Sequence, residues 1–141
     1  MELSTVVFLL LAIAGWGVAG FLDKLSLKYL DPNGAFLLRS LFMIGIFTPM
    51  VLWKQAVTKQ ALFSGRLGPL TVLGSVVVTM VGVFFYLKAL SGGAATKIIP
   101  LSSTYPFITA VLAILFLGES LTLNKLVGTL LLSGGIYFIS R

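Results

Sequence analysis

Apolar residues run along this chain in five long stretches, at about 3–22, 34–53, 67–87, 94–117 and 122–139, and the charged residues gather mostly between them. Each stretch approaches the ~20 residues that a helix rising ~1.5 Å per residue needs to cross ~30 Å of hydrocarbon. None alternates polar and apolar positions as a barrel strand does. The pattern predicts an all-α integral membrane protein of five transmembrane helices, with residues 1–141 forming a single membrane domain. The first stretch contains the small-x-small pattern Ala12-Ile13-Ala14 of a signal peptide cleavage site. Its leading residues, however, include Glu2 and no Lys or Arg. A basic n-region is missing, so the segment reads as a retained helix.

The connections are short: DKLSLKYLDPN, KQAVTKQALFSGR, KALSGG and GES. Asp31, Pro32, Asn33 and Gly34 carry turn chemistry, with Pro32 opening the second helix. Only the connection at 54–66 is long enough for an amphipathic turn of its own. No connection has room for a soluble domain.

Composition agrees with the pattern. The chain is 58% hydrophobic and 10% charged, and its mean hydropathy is +1.09. Its formal charge of +6 would suggest nucleic acid in a soluble protein. Here the basic residues sit mainly at helix ends, where membrane proteins keep them, and no nucleic-acid partner is expected. The absence of Cys and His removes disulfides, thiolate and imidazole chemistry. No metal, cofactor or catalytic residue is expected, and the spans offer no nucleophile and base from which to build an enzyme.

Orientation is weakly encoded. Lys54, Lys59, Arg66 and Lys125 fall on one side, Lys24, Lys28, Lys88, Lys97 and Arg141 on the other, with Arg39 close by. This near tie means that other features set the orientation or that the chain inserts both ways.

Polar residues within spans are the candidates for function. KIIPLSSTYPFIT crowds Lys97, Pro100, Ser102, Ser103, Thr104, Tyr105 and Pro106 into the start of the fourth stretch. Each proline removes a backbone donor and frees a carbonyl about a turn earlier, which is tolerated at membrane depth only beside protein or a water-filled cavity. The favoured reading is a cavity wall; the alternative is that the hydroxyls bond back to their own helix. Arg39 lies about a turn inside the second stretch, and snorkelling and a substrate or ion-pair role are equally open to it. Trp16 sits deep in the first stretch as packing or cavity lining, and Tyr86 near an end of the third, where it suits an interface anchor. Gly118 suits a helix stop, and Glu119 after it suits the loop or a cap on the fifth helix. Small residues on the first, third and fifth stretches, Gly128, Ser133, Gly134 and Gly135 among them, allow close helix approach and point on the fifth to a dimer or intramolecular seam.

Two runs carry a family resemblance. GWGVAGFLDKLSLKYLDPNGAFLLRSLF, with Trp16-Gly17, Pro32 and Arg39, resembles the start of EamA-type domains of the drug/metabolite transporter superfamily. The later run from FFYLKAL to GGIYF is similar to the same family in Tyr86 and Ala89, Pro106, Leu117-Gly118-Glu119, Gly128 and Gly134-Gly135. The resemblance implies one half of an inverted-repeat transporter fold, since most members hold two such units with the substrate cavity between them near the midplane. A single unit would recover that arrangement by pairing with an antiparallel copy of itself, which the near tie in charge permits, or with a different half. The small-multidrug branch is set apart by its glutamate in the first helix, which 9–22 lacks.

These readings converge on a half-size transporter of the plasma or inner membrane, surrounded by lipid, moving a small metabolite by alternating access as a dimer. Trp16, Arg39, Tyr86, Lys97, Ser102, Ser103 and Tyr105 are the expected substrate-binding residues, with Arg39 or Lys97 attracting an anionic group. Pro32, Pro100, Pro106, Gly118 and Glu119 are the expected structural ones. The alternatives are a flippase subunit for a lipid-linked sugar and a non-transporting accessory or scaffold protein.

Overall fold

The computed structural model describes residues 3–63, 65–120 and 122–140, and the side chains of Leu126, Ser133 and Ser140 lie outside that description, as does Arg141. The described residues are helical and contain no strand. In chain order the helices are α1 (Leu3–Ser26), α2 (Pro32–Trp53), α3 (Gln55–Leu62), α4 (Leu67–Gly92), α5 (Ala95–Ser102), α6 (Tyr105–Leu117) and α7 (Leu123–Ser140). Four segments are long and apolar enough to cross a bilayer: α1, α2, α4 and the stretch Ala95–Leu117 formed by α5 and α6. α7 is apolar and shorter. The chain divides into two compact units, one formed by Phe21–Ser91 and the other by Met1–Gly20 with Gly92–Arg141.

In the unit Phe21–Ser91, the helices run further than the apolar pattern suggests. α1 continues past 22 to Ser26, and α4 past 87 to Gly92, because the polar residues in these last turns find partners. Lys24 donates from its Nζ to the carbonyl oxygen of Leu90 at 2.7 Å. That carbonyl is among the last of α4, which lack partners within the helix, and a cation there also complements the helix dipole. Leu87 and Leu90 are 1% and 0% exposed and hold the last turns of α4 in place. The turn into α2 is built by Asp31, whose carboxylate accepts from the backbone N–H of Asn33 at 2.9 Å and of Gly34 at 3.1 Å. These two donors, Gly34 foremost, hold the Asp31 carboxyl below the usual carboxylate range. Pro32 stands at the first position of α2, where its missing N–H costs no helical bond. A Cβ on Gly34 would come within 2.9 Å of the Asp31 carboxylate, so a larger residue there would push that carboxylate away from the N–H groups it caps. Between α2 and α4, the connection at 54–66 forms the short helix α3.

In the other unit, the fourth apolar stretch is two helices. Pro106 stands in the first turn of α6, and the chain turns at Ser103 and Thr104 before it. α5 packs against α7. α6 ends at Gly118, whose φ of 67° is left-handed, and the N–H groups of Gly118 and Glu119 both donate to the carbonyl of Ala113. α7 is capped by Thr122, whose hydroxyl oxygen accepts from the N–H of Lys125 at 3.3 Å. Of the two roles open to Glu119, loop or cap, the cap is taken by Thr122.

Among the described residues only Gly20, Ala35, Leu87 and Leu90 are buried. Large apolar side chains lie exposed along every long helix, which is the surface a chain solvated by lipid presents.

Candidate functional site

Each unit carries its own polar feature. In Phe21–Ser91 the ends of α1 and α4 and the first turns of α2 meet through charge and aromatic contacts. The Arg39 guanidinium donates to the Asp23 carboxylate at 2.6 Å, with the side chains 33% and 19% exposed respectively. The Tyr86 hydroxyl lies within electrostatic reach of both charges. Phe36 of α2 meets Phe84 of α4 edge-on, ring centroids 5.4 Å apart, and Lys88 Nζ lies 4.5 Å from the centroid of the Phe84 ring. An arginine inside a span is tolerated because a carboxylate from the neighbouring helix neutralises it.

Of the roles open to Arg39, the structure shows the ion pair. Asp23, in the connection 23–33 by hydropathy alone, stands in the last turn of α1 and is the partner. Asp23 lies about a turn before the end of one span and Arg39 about two turns into the next, and the short turn between them folds the two back to similar depth.

In the other unit the feature is a groove. A cavity of about 570 Å³ lies between α6 and α7. Ser103, Thr104 and Thr129 line it together with Glu119, Asn124 and Lys125, and its body is apolar, formed by Phe107, Ile108, Ile114, Leu132 and Ile136. Pro106, in the first turn of α6, also lines it. A second cavity, between α5 and α7, shares Ser103, Gly128, Leu132 and Ile136 with it and includes Pro100. At the polar end Lys125 Nζ pairs with the Glu119 carboxylate at 3.2 Å and donates to the Ser120 carbonyl at 3.2 Å.

The hydroxyls of the broken span do what the second of the two readings expected. Ser102 and Ser103 donate to the carbonyl of Ile99 at 2.7 and 3.0 Å, and Thr104 to that of Leu101 at 2.9 Å. Ser103 and Thr104 nonetheless line the cavity; Ser102 does not.

The remaining candidates are scattered. Trp16 projects from α1, 65% exposed, and Tyr105 at the start of α6 is 56% exposed. Lys97, in the first turn of α5, is exposed, and its ammonium has no partner among the described residues. Trp16, Lys97 and Tyr105 line neither cavity. Arg39 and Tyr86 belong to one unit, and the other five candidates to the other. The lining residues Asn124, Lys125 and Thr129 are not among the candidates that the sequence offers, because they follow a helix start, where polar side chains are ordinary. The spacing of Glu119 and Lys125 across that start was the available signal.

Four segments long and apolar enough to cross a bilayer, the last of them broken into two helices with a cavity beside the break, mark a multi-pass integral membrane protein. The chain belongs to the EamA-like transporter family, whose model matches residues 3–141. An uncharacterized protein of Methanocaldococcus jannaschii is 42% identical over 66 residues, which are 47% of this chain and 48% of that one. The match thus spans about half the length of the relative. No solved structure matches the chain.

Proposed function

We propose that this chain moves a small metabolite across a plasma or inner membrane by alternating access, and that it works as a pair of five-helix units. The discontinuous fourth span carries the reading. Helix ends at membrane depth are used where a solute is to be held, and here the break at Ser103 and Thr104 borders the cavity. α7 supplies the fifth span, since 18 residues rise ~27 Å and nearly match the hydrocarbon thickness.

Pairing is supported by the glycines. A Cβ added at Gly128, Gly134 or Gly135 of α7, or at Gly74 and Gly82 of α4, would meet nothing within 4 Å. Gly128 and Gly135 border the cavities, but among the described residues no neighbour lies against Gly134, Gly74 or Gly82, which favours contact with another unit at those faces. Two arrangements serve: an antiparallel copy of the same chain, or a different half. In the paired protein Ser103, at the break, accepts hydrogen bonds from the solute held in the cavity, and Arg39, held by Asp23, keeps the first helical hairpin closed.

The test is release from vesicles. Purified protein is reconstituted into vesicles loaded with a mixture of small metabolites, and the exterior is read by mass spectrometry. Protein-dependent release of particular metabolites is expected; release equal to that of protein-free vesicles would sink the transport reading. Pairing is read separately from single cysteines at Thr58 and Ser91, labelled in intact cells with an impermeant maleimide. Partial labelling of both is expected for the antiparallel pair, whereas labelling of one alone would rule out that pair and leave the different half.

A further inference from the structure

The groove between α6 and α7 is polar at one end in a way the other end is not. The hydroxyls of Ser103 and Thr104 donate to their own helix, so they have no proton left to offer a solute. At the opposite end Glu119 and Lys125 pair at 3.2 Å with side chains 54% and 51% exposed. Beside them the Asn124 amide has no hydrogen-bond partner among the described residues. The body between these ends is walled by Phe107, Ile108, Ile114, Leu132 and Ile136. A small hydrophilic solute moving along those walls would leave its hydration shell with nothing to replace it.

We propose that the groove takes a single-chain amphiphile with a zwitterionic head. The head sits at Glu119, Asn124 and Lys125, its cation toward Glu119 and its anion toward Lys125 and the Asn124 amide. The chain lies along α6, whose 13 residues offer a wall ~20 Å long. The pair sets the head chemistry. Glu119 and Lys125 neutralise each other, so a singly charged head would engage one and strand the other, while a zwitterion exchanges one ion pair for two. The volume of about 570 Å³ is that of a site for one ligand of modest size. This assignment rests on the groove being the transport site, and it names the class of solute that site holds.

Photolabelling tests it without requiring transport. The full chain is placed in nanodiscs of phosphatidylglycerol, which supplies no zwitterionic lipid, and exposed to a dodecyl phosphocholine carrying a diazirine near the end of its chain. The expected result is labelling concentrated on Phe107, Ile114 and Leu132, displaced saturably by unmodified dodecylphosphocholine. Glu119→Gln with Lys125→Gln should weaken displacement at least about tenfold, and the swapped pair Glu119→Lys with Lys125→Glu should recover most of it. Three results would each overturn the proposal: equal displacement by phosphocholine without a chain, equal displacement by dodecyl sulfate, or labelling spread evenly over the exposed face of α4. A chain that is labelled as expected but moves no dodecylphosphocholine between the leaflets of reconstituted vesicles would refute transport and leave the binding site standing.

Discussion

The two units solve the same problem differently. In Phe21–Ser91 the helices are joined by polar ties: Arg39 on Asp23, Lys24 on a carbonyl of α4, and an aromatic pair beside two fully buried leucines. In the other unit the hydroxyls are turned onto their own backbone and a groove stands open between α6 and α7. Lipid does not drive apolar helices together, so cohesion follows the polar ties, and room for a solute appears between α6 and α7, whose one side-chain tie among the described residues, Glu119 to Lys125, lies at one end of the groove. One unit is built as a frame, the other as a receptacle.

Removing a tie from the frame should have the largest effect. Arg39→Ala leaves the mostly buried Asp23 carboxylate unpaired and should cost about 2 kcal/mol, read by unfolding in mixed detergent micelles. Asp23→Asn added to Arg39→Ala should recover much of that loss; if it does not, the pair is not what holds the hairpin. The receptacle should respond in function instead. Ala110→Trp, placed in the groove lining, should cut vesicle release roughly tenfold or more while leaving stability within about 0.5 kcal/mol. A large loss of stability would show the groove to be packed space.

Leu90→Ala should cost about 1–2 kcal/mol, less than in a soluble core because only packing is lost, whereas Leu41→Ala on an exposed face should fall within about 0.5 kcal/mol. Equal values would dissolve the contrast between a packed and an unpacked surface. The smallest effect belongs to the turn before α2. The Asp31 carboxyl is held below its ordinary value of 3.8 by the N–H groups of Gly34 and Asn33. A lowered value in the folded chain means that its contribution is complete above that pH and is lost as pH falls through the folded value. Asp31→Asn, which keeps a cap of similar quality, should therefore flatten the acid limb of the stability profile below about pH 4.

Much of this architecture was legible in the residues. The long apolar runs, the turn at Asp31 and Pro32, and the helix stop at Gly118 follow from hydropathy and from backbone preferences that act locally. The ion pair was harder, because Asp23 looks like a loop residue until the depth of each side chain in the hairpin is worked out. The break at Ser103 was signalled by the prolines and hydroxyls of 97–106 but not decided by them, because a proline can kink a helix or start a new one with equal ease. The groove was least visible. It depends on how far α6 stands from α7, a distance that no residue pattern encodes, and its polar end is built from side chains that read as ordinary helix-start polarity.

The contrast between frame and receptacle rests on whether water reaches the groove at membrane depth. The chain has no cysteine of its own, so single cysteines replacing Ala110, in the groove lining, and Val78, on the exposed face of α4, can be compared directly. Membranes opened on both sides are treated with an impermeant maleimide. Labelling at 110 with none at 78 is the predicted result; the same absence of labelling at both positions would mean that the groove is filled by lipid or by the chain itself, and would contradict the account.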